Sequence, residues 1–161
     1  MDKLYIIAVD DQEEVLRALE DDLSFFLSHT EVEMCTSGVE VLELIDELDR
    51  SGDHLAVLVS DHVMPKMTGV ELLSKIQQDG RFTSTQKLLL TGLASHQDTI
   101  DAINHAGLDM YIAKPWKKAD LIEKIKVLIT QYLISRKIPH EKFMPILDQE
   151  TLYAELRNRT I

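Results

Sequence analysis

Three aspartates, a threonine and a lysine in this sequence stand at or just after the ends of apolar runs, and together these side-chain types suit phosphoryl transfer. They are Asp10, Asp11, Asp61, Thr91 and Lys114. Clustered carboxylates repel one another and resist joint desolvation, and a hard divalent cation such as Mg²⁺ relieves that repulsion through oxygen ligands. A carboxylate can also act as a nucleophile that forms an acyl phosphate, while a lysine and a metal neutralise charge on the transferring group.

Each of these residues has an ordinary structural explanation when it is taken alone. Aspartate and threonine are common helix caps and turn residues, and for Asp10 or Thr91 by itself a cap is the better interpretation. Three acids together at predicted strand ends are poorly explained in that way. We therefore predict an Mg²⁺ site at Asp10, Asp11 and Asp61, with Lys114 as a fixed cation opposite the acids and Thr91 as a hydroxyl donor.

The elements that must position these residues are short apolar runs alternating with amphipathic stretches. The runs are LYIIAV (4–9), EVEMCT (31–36), LAVLVS (55–60), KLLLT (87–91) and MYIA (110–113). Such runs are typical of strands buried on both faces. Apolar residues at helical spacing predict helices over 13–27, 39–50, 68–79, 96–106 and 117–137. This alternation predicts a parallel sheet with helices on both faces, in which ligands bind at the carboxyl ends of the strands.

Composition limits the function classes. The chain has 161 residues with 17 Lys and Arg against 28 Asp and Glu, a formal charge of −11. We therefore expect no general binding to nucleic-acid phosphates or to anionic membranes, because an acidic surface repels both. One cysteine, Cys35, permits no internal disulfide and fits a reducing compartment. No apolar run has the length of a membrane span and the N-terminus does not resemble a signal peptide, so we expect a cytoplasmic protein.

The C-terminal part suggests an addition to the core unit. The fifth predicted helix, 117–137, is longer than a helix needs to be to cover the sheet, and the sequence KIP ends it. We therefore expect one domain over 1–137 and a partly helical tail or linker over 138–161.

Four motifs, in order and on the expected strands, resemble the receiver domain of two-component response regulators, the CheY-like family. They are VDDQEEV (9–15), LVSDHVMPKMTGVELL (58–73), LLLTG (88–92) and YIAKPW (111–116). The resemblance covers about residues 3–135. It implies a flavodoxin-like (βα)5 doubly wound parallel sheet with strand order 2-1-3-4-5, here with an extended fifth helix and a C-terminal tail.

The resemblance also implies a role for each matching residue. Asp61 would be the phosphoacceptor. Asp11, Asp61 and the backbone carbonyl of Val63 would ligate Mg²⁺ directly, with Asp10 acting mainly through water. Thr91 and Lys114 would bind the phosphoryl group. Thr91 and Tyr111 would form the switch, in which Thr91 moves toward the phosphoryl group and Tyr111 turns inward. Pro115 would follow a cis peptide bond, and Gly69 would shape the loop after the acceptor.

By the same resemblance, the donor would be a sensor histidine kinase or a phosphotransfer protein. Phosphorylation would change the surface formed by the predicted helix 96–106, strand 110–113 and helix 117–137. That surface would control an output domain or effector protein, and a homodimer through it is left open. The protein would not be an enzyme beyond self-phosphorylation from a donor and slow autodephosphorylation. The slow rate is expected because Val63 and Leu93 are apolar where polar side chains would orient the attacking water.

Two other function classes remain open from the residues. Mg²⁺-dependent phosphohydrolases of the haloacid-dehalogenase type also use Asp, Thr and Lys on a parallel sheet, but they place the nucleophile in an Asp-x-Asp motif at the first strand. Here the first strand ends in the adjacent Asp10 and Asp11, and no cap insertion is evident. The other class is a receiver-like scaffold that is not phosphorylated, against which the complete set of acids, Thr91 and Lys114 argues.

Overall fold

The computed structural model of the chain describes residues 2–92, 104 and 106–159. Its five strands are β1 (Leu4–Val9), β2 (Glu31–Cys35), β3 (His54–Asp61), β4 (Gln86–Thr91) and β5 (Met110–Ala113). Its described helices, labelled in chain order, are α1 (Glu13–Leu23), α2 (Gly38–Ser51), α3 (Gly69–Gln78), α4 (Lys118–Ser135) and α5 (Gln149–Arg159). The helix predicted over 96–106 falls almost wholly outside the described residues, so α4 corresponds to the fifth predicted helix.

All five strands are parallel and lie in the order β2-β1-β3-β4-β5, which confirms the predicted flavodoxin-like sheet. The predicted strand bounds differ from the observed ones by no more than one residue. Burial on both faces is confirmed for β1, β3 and β4, which are short, apolar and rich in branched side chains. It is wrong for β2 and β5, which are partly exposed because they lie at the two edges of the sheet.

Successive side chains of each strand point to alternate faces of the sheet, so the core has two layers, one on each face. On β1, Ile6 and Ala8 belong to the layer under α1 and α4, whereas Ile7 and Val9 belong to the layer under α2 and α3. The sheet therefore buries both of its faces, since successive side chains of a strand point in opposite directions. Within the described part of the chain, no helix is long and apolar enough to cross a membrane.

Helix ends follow local sequence signals. The hydroxyl of Ser37 accepts a hydrogen bond from the Glu40 amide at the start of α2, and the hydroxyl of Thr68 does the same for the Glu71 amide at α3. Both are Ser/Thr-x-x-Glu patterns in which the cap satisfies an otherwise unpaired amide. At the other end of α2, Gly52 adopts φ 72°, a left-handed conformation that glycine adopts without steric cost.

The segment after α4 folds back onto the molecule. A 3₁₀ segment, Glu141–Ile146, leads into α5, and four apolar side chains between residues 141 and 159 join the core layer under α1 and α4. They are Phe143, Ile146, Leu147 and Leu152.

A polar contact fixes this return. The backbone amide of Asp148 donates to the hydroxyl of Thr130 on α4 at 3.0 Å, and that hydroxyl donates to the carbonyl of Lys126 at 2.7 Å. Thr130 is fully buried although it lies near the middle of α4. The tail therefore covers a face of α4 that would otherwise meet water.

This packing predicts that the tail contributes to the stability of the whole fold. Phe143→Ala removes a ring that is 5% exposed and should lower the free energy of unfolding by about 3 kcal/mol. Tyr153→Ala is the matched control, because this tail ring is 56% exposed, and it should change the free energy by less than about 0.5 kcal/mol. Urea denaturation measures both; equal effects of the two substitutions would contradict the prediction.

Candidate functional site

The register of the sheet brings the two central acidic positions together. Val9 of β1 pairs with Ser60 of β3, so the next residues, Asp10 and Asp61, are neighbours at the carboxyl edge of adjacent strands. The chain runs from β1 outward to β2 and then returns across β1 to β3. The acids therefore lie where the strand order reverses, the usual ligand position in such sheets.

Lys114 joins these two acids. Its Nζ lies 2.7 Å from Oδ1 of Asp61 and 3.1 Å from Oδ2 of Asp10. Thr91 pairs with Ala113, the last residue of β5, and the Lys114 amide donates to the Thr91 carbonyl at 2.8 Å. The sheet thus places the Lys114 ammonium between the carboxylates of Asp10 and Asp61, which are 104 and 53 residues from Lys114 in the sequence.

Asp10 is fully buried, and each of its oxygens accepts a hydrogen bond. Oδ1 accepts from the backbone amide of Gln12 at 2.8 Å, and Oδ2 accepts from Lys114. Burial raises the pKa of Asp10, the Gln12 amide and Lys114 oppose that rise, and the charge of Asp61 adds to it. The Gln12 amide and Lys114 both favour the charged form of Asp10, but they do not outweigh its burial, so the pKa of Asp10 stays raised.

The pKa of Lys114 is raised. Burial acts against the charged ammonium, but the hydrogen bonds to Asp61 and Asp10, and their negative charges, outweigh it. Because the folded-state pKa exceeds the unfolded value of ~10.4, this contribution to stability is fully present below that value. It is lost as the pH rises through the folded pKa, so the lysine stays charged across the physiological range.

The three predicted metal ligands form one acidic cluster. Carboxylate oxygens of Asp10, Asp11 and Asp61 lie within 4.8 Å of one another, with Asp11 exposed and the other two buried. Asp11 and Asp61 line an open cavity of about 290 Å³ together with Gln12, Val63, Gly92 and Lys114. A hard divalent cation suits this donor set, because it takes oxygen ligands and neutralises acids that a single lysine leaves in excess.

The remaining predicted residues lie around this cavity or at the neighbouring strand ends. Val63 is 61% exposed beside the acids. Thr91 ends β4 and its hydroxyl makes a long, 3.5 Å hydrogen bond to the carbonyl of Ile112. Tyr111 on β5 is 53% exposed and borders a cavity of about 360 Å³.

The Lys114–Pro115 peptide bond is cis, as the resemblance implies. Leu93 lies outside the described residues.

Gly69 fixes the loop that follows Asp61. Its amide donates to the carbonyl of His62 at 2.9 Å. A Cβ at this position would lie 2.1 Å from the carbonyl oxygen of Asp61 and 3.0 Å from the Cα of His62. Only a glycine permits this approach between the start of α3 and the backbone of the acid.

One hydrogen bond near the site was not predicted from the sequence. The indole Nε1 of Trp116, two residues after Lys114, donates to Oδ2 of Asp22 on α1 at 2.8 Å. The sequence shows that Trp116 offers a hydrogen-bond donor, because every tryptophan indole carries an N–H group. Nothing in the sequence distinguishes Asp22 from Asp21 as the acceptor, because the choice depends on how α1 is rotated against the loop.

Comparisons with known proteins agree on one family. The family model described as "Response regulator receiver domain" matches residues 6–126. Chemotaxis protein CheY1 of Helicobacter pylori is 32% identical over 124 residues, 77% of this chain and 95% of that protein. Response regulator MprA of Mycobacterium leprae is also 32% identical over 124 residues, 50% of its length. A CheY-like receiver domain structure from Methanospirillum hungatei is 31% identical with a TM-score of 0.69, covering 82% of this chain and 97% of that one.

The contact at Gly69 predicts a steric effect that is centred on the site. Gly69→Ala should force the Asp61 backbone to move and lower the free energy of unfolding by about 2 kcal/mol, as overpacking does. It should also weaken any binding of Mg²⁺ to the acidic cluster, measured by calorimetric titration. Gly80→Ala is the control, because no atom lies within 4 Å of a Cβ at that glycine. Wild-type stability and metal affinity in Gly69→Ala would contradict the prediction.

Proposed function

The chain belongs to the response regulator receiver domain family, and from this premise we propose that it accepts a phosphoryl group on Asp61. The observation that carries the proposal is the placement of Lys114 between Asp61 and Asp10 at 2.7 and 3.1 Å. One cation already offsets part of the acids' charge at rest, and it lies beside the proposed nucleophile, where a phosphoryl oxygen would arrive.

The proposed nucleophile is the second carboxylate oxygen of Asp61. Lys114 binds Oδ1, and Oδ2 accepts no hydrogen bond from the residues that the structure describes. In the transfer step Oδ2 forms a bond to phosphorus while the bond from phosphorus to the donor breaks. The electron pair of that bond leaves with the donor group, for which an imidazole of a histidine kinase or phosphotransfer protein is the proposed identity.

Asp11, Asp61 and the backbone carbonyl of Val63 are the proposed ligands of Mg²⁺, with Asp10 acting mainly through water. Bound there, Mg²⁺ would offset the charge of the acids and of the phosphoryl oxygens. Asp10 suits a supporting role because it is fully buried and both of its oxygens already accept hydrogen bonds.

The proposed switch links the new charge to a surface. A phosphoryl group adds about two negative charges. Among the described residues, the Thr91 hydroxyl makes one long hydrogen bond of 3.5 Å, to the Ile112 carbonyl, and in the proposed switch it turns from that carbonyl toward the phosphoryl group. Tyr111 would then turn inward from its 53% exposed position. We propose that this changes the surface of residues 96–106, β5 and α4, through which an output domain or effector protein is controlled, with dimerisation through the same surface as a further proposal.

Phosphorylation from a small donor tests the central proposal. After incubation with acetyl phosphate and Mg²⁺, mass spectrometry should show a gain of one phosphoryl group in the parent protein. The gain should be absent with EDTA and in Asp61→Ala, but present in Asp120→Ala, whose acid lies in the first turn of α4. Absence of the gain in the parent would refute the proposal, and turnover beyond one equivalent would favour a phosphohydrolase.

The apolar side chain at Val63 predicts slow loss of the phosphoryl group. Val63 lines the cavity beside Asp61 and cannot hydrogen-bond the attacking water. Val63→Asn should therefore speed hydrolysis by roughly threefold or more by orienting that water, whereas Val63→Ile should leave the rate unchanged. The decay of phosphoprotein after donor removal measures both rates. A parent half-life of seconds in Mg²⁺ alone would contradict the prediction.

A further inference from the structure

The segment that carries Lys114 is fixed at two points. Residues 114–117 join β5 to α4. On the upstream side, the Lys114 amide donates to the Thr91 carbonyl at 2.8 Å. On the downstream side, Pro115 has no amide proton to donate, and Lys117 at the N-cap of α4 makes no side-chain capping bond.

Trp116 provides the downstream attachment. Its Nε1 donates to Oδ2 of Asp22 at 2.8 Å, and its half-buried ring packs against the core layer under α1 and α4. Among the described residues, this is the only hydrogen bond made by Pro115 or Trp116. Residues 115 and 116 are therefore bonded to α1 through the Trp116 side chain, and the first bond of this segment to α4 comes at Lys117, whose carbonyl accepts from the Leu121 amide at 3.1 Å.

The helix that receives this bond also carries the acidic loop. α1 begins at Glu13, directly after Asp10, Asp11 and Gln12, and Asp22 lies in its last turn. The helix is held to the sheet by the buried side chains of Leu16, Leu19 and Leu23. One helix thus begins directly after the acidic residues and is bonded near its C-terminal end to the segment that carries Lys114.

We propose that Trp116 and Asp22 are positioning residues, which hold the backbone after Lys114 where its ammonium reaches Asp10 and Asp61 together. The distances of 3.1 and 2.7 Å to two acids on different strands leave little freedom for that backbone. The consequence for phosphoryl transfer rests on the proposed function; the positioning itself does not.

Two pairs of substitutions separate the hydrogen bond from simple packing and from charge. Trp116→Phe keeps an aromatic ring in the core but removes the donor. Asp22→Ala removes the acceptor, whereas Asp22→Asn keeps a carbonyl oxygen that can accept from the indole. Asp21→Ala is the charge control, because Asp21 is an exposed neighbour in the same turn that makes no bond to Trp116.

The first measurement reads the Lys114 ammonium directly and needs no phosphoryl transfer. In a ¹H–¹⁵N spectrum of the lysine side chains, the Lys114 signal, assigned by its loss in Lys114→Met, should exchange slowly with water in the parent, because two carboxylates hold it. Trp116→Phe and Asp22→Ala should broaden or abolish the signal. Asp22→Asn and Asp21→Ala should retain it.

The second measurement is the rate of phosphorylation by acetyl phosphate in saturating Mg²⁺. Trp116→Phe and Asp22→Ala should each lower the maximal rate constant by roughly three- to tenfold, without changing the half-saturating donor concentration, since neither residue meets the donor. The double variant should be no slower than either single variant, because both remove the same bond. Asp22→Asn should keep at least half of the parent rate constant.

An unchanged Lys114 signal in Trp116→Phe and Asp22→Ala would overturn the proposal, as would equal loss in Asp21→Ala or Asp22→Asn. Equal rate constants in all variants would overturn its consequence for phosphoryl transfer. A parent protein that shows the predicted signals yet takes no phosphoryl group would refute the proposed function and support the positioning role.

Discussion

The arrangement of this site depends on one lysine held between two aspartates. Asp10 is fully buried beside Asp61, and the negative charges of two adjacent carboxylates repel each other. Lys114 supplies a cation at 2.7 and 3.1 Å. The same charge that stabilises the resting site is the one that an arriving phosphoryl group would engage, so stability and proposed function share a single interaction.

Two supports surround this interaction from opposite sides. On the acid side, Gly69 lets the start of α3 approach the backbone of Asp61. On the lysine side, the bond from Trp116 to Asp22 ties the segment after Lys114 to α1. Both act on backbone position, because an ammonium that must reach two carboxylates is sensitive to small displacements of the chain that carries it.

The segment after residue 137 shows how an added element can become part of the core. Phe143 and Leu152 are buried with the side chains of α1 and α4, and Asp148 is bonded to the buried Thr130. The tail therefore covers this side of α4. The division at residue 137 stays a proposal; burial shows that the tail packs on the preceding unit, whatever its role in signalling.

The sequence by itself determined the strands, their order through the family resemblance, and the set of residues at the rim. Short apolar runs permit few alternatives, and polar side chains directly after parallel strands must share one edge. Only the tertiary structure decided the contacts that depend on interatomic distances and on the rotation of helices about their axes. In it, Lys114 is bonded to both Asp10 and Asp61, Trp116 donates to Asp22, and the tail packs on α4. These contacts join residues that are far apart in the chain. Their geometry follows from the packing of whole helices, and a local sequence pattern does not determine that packing.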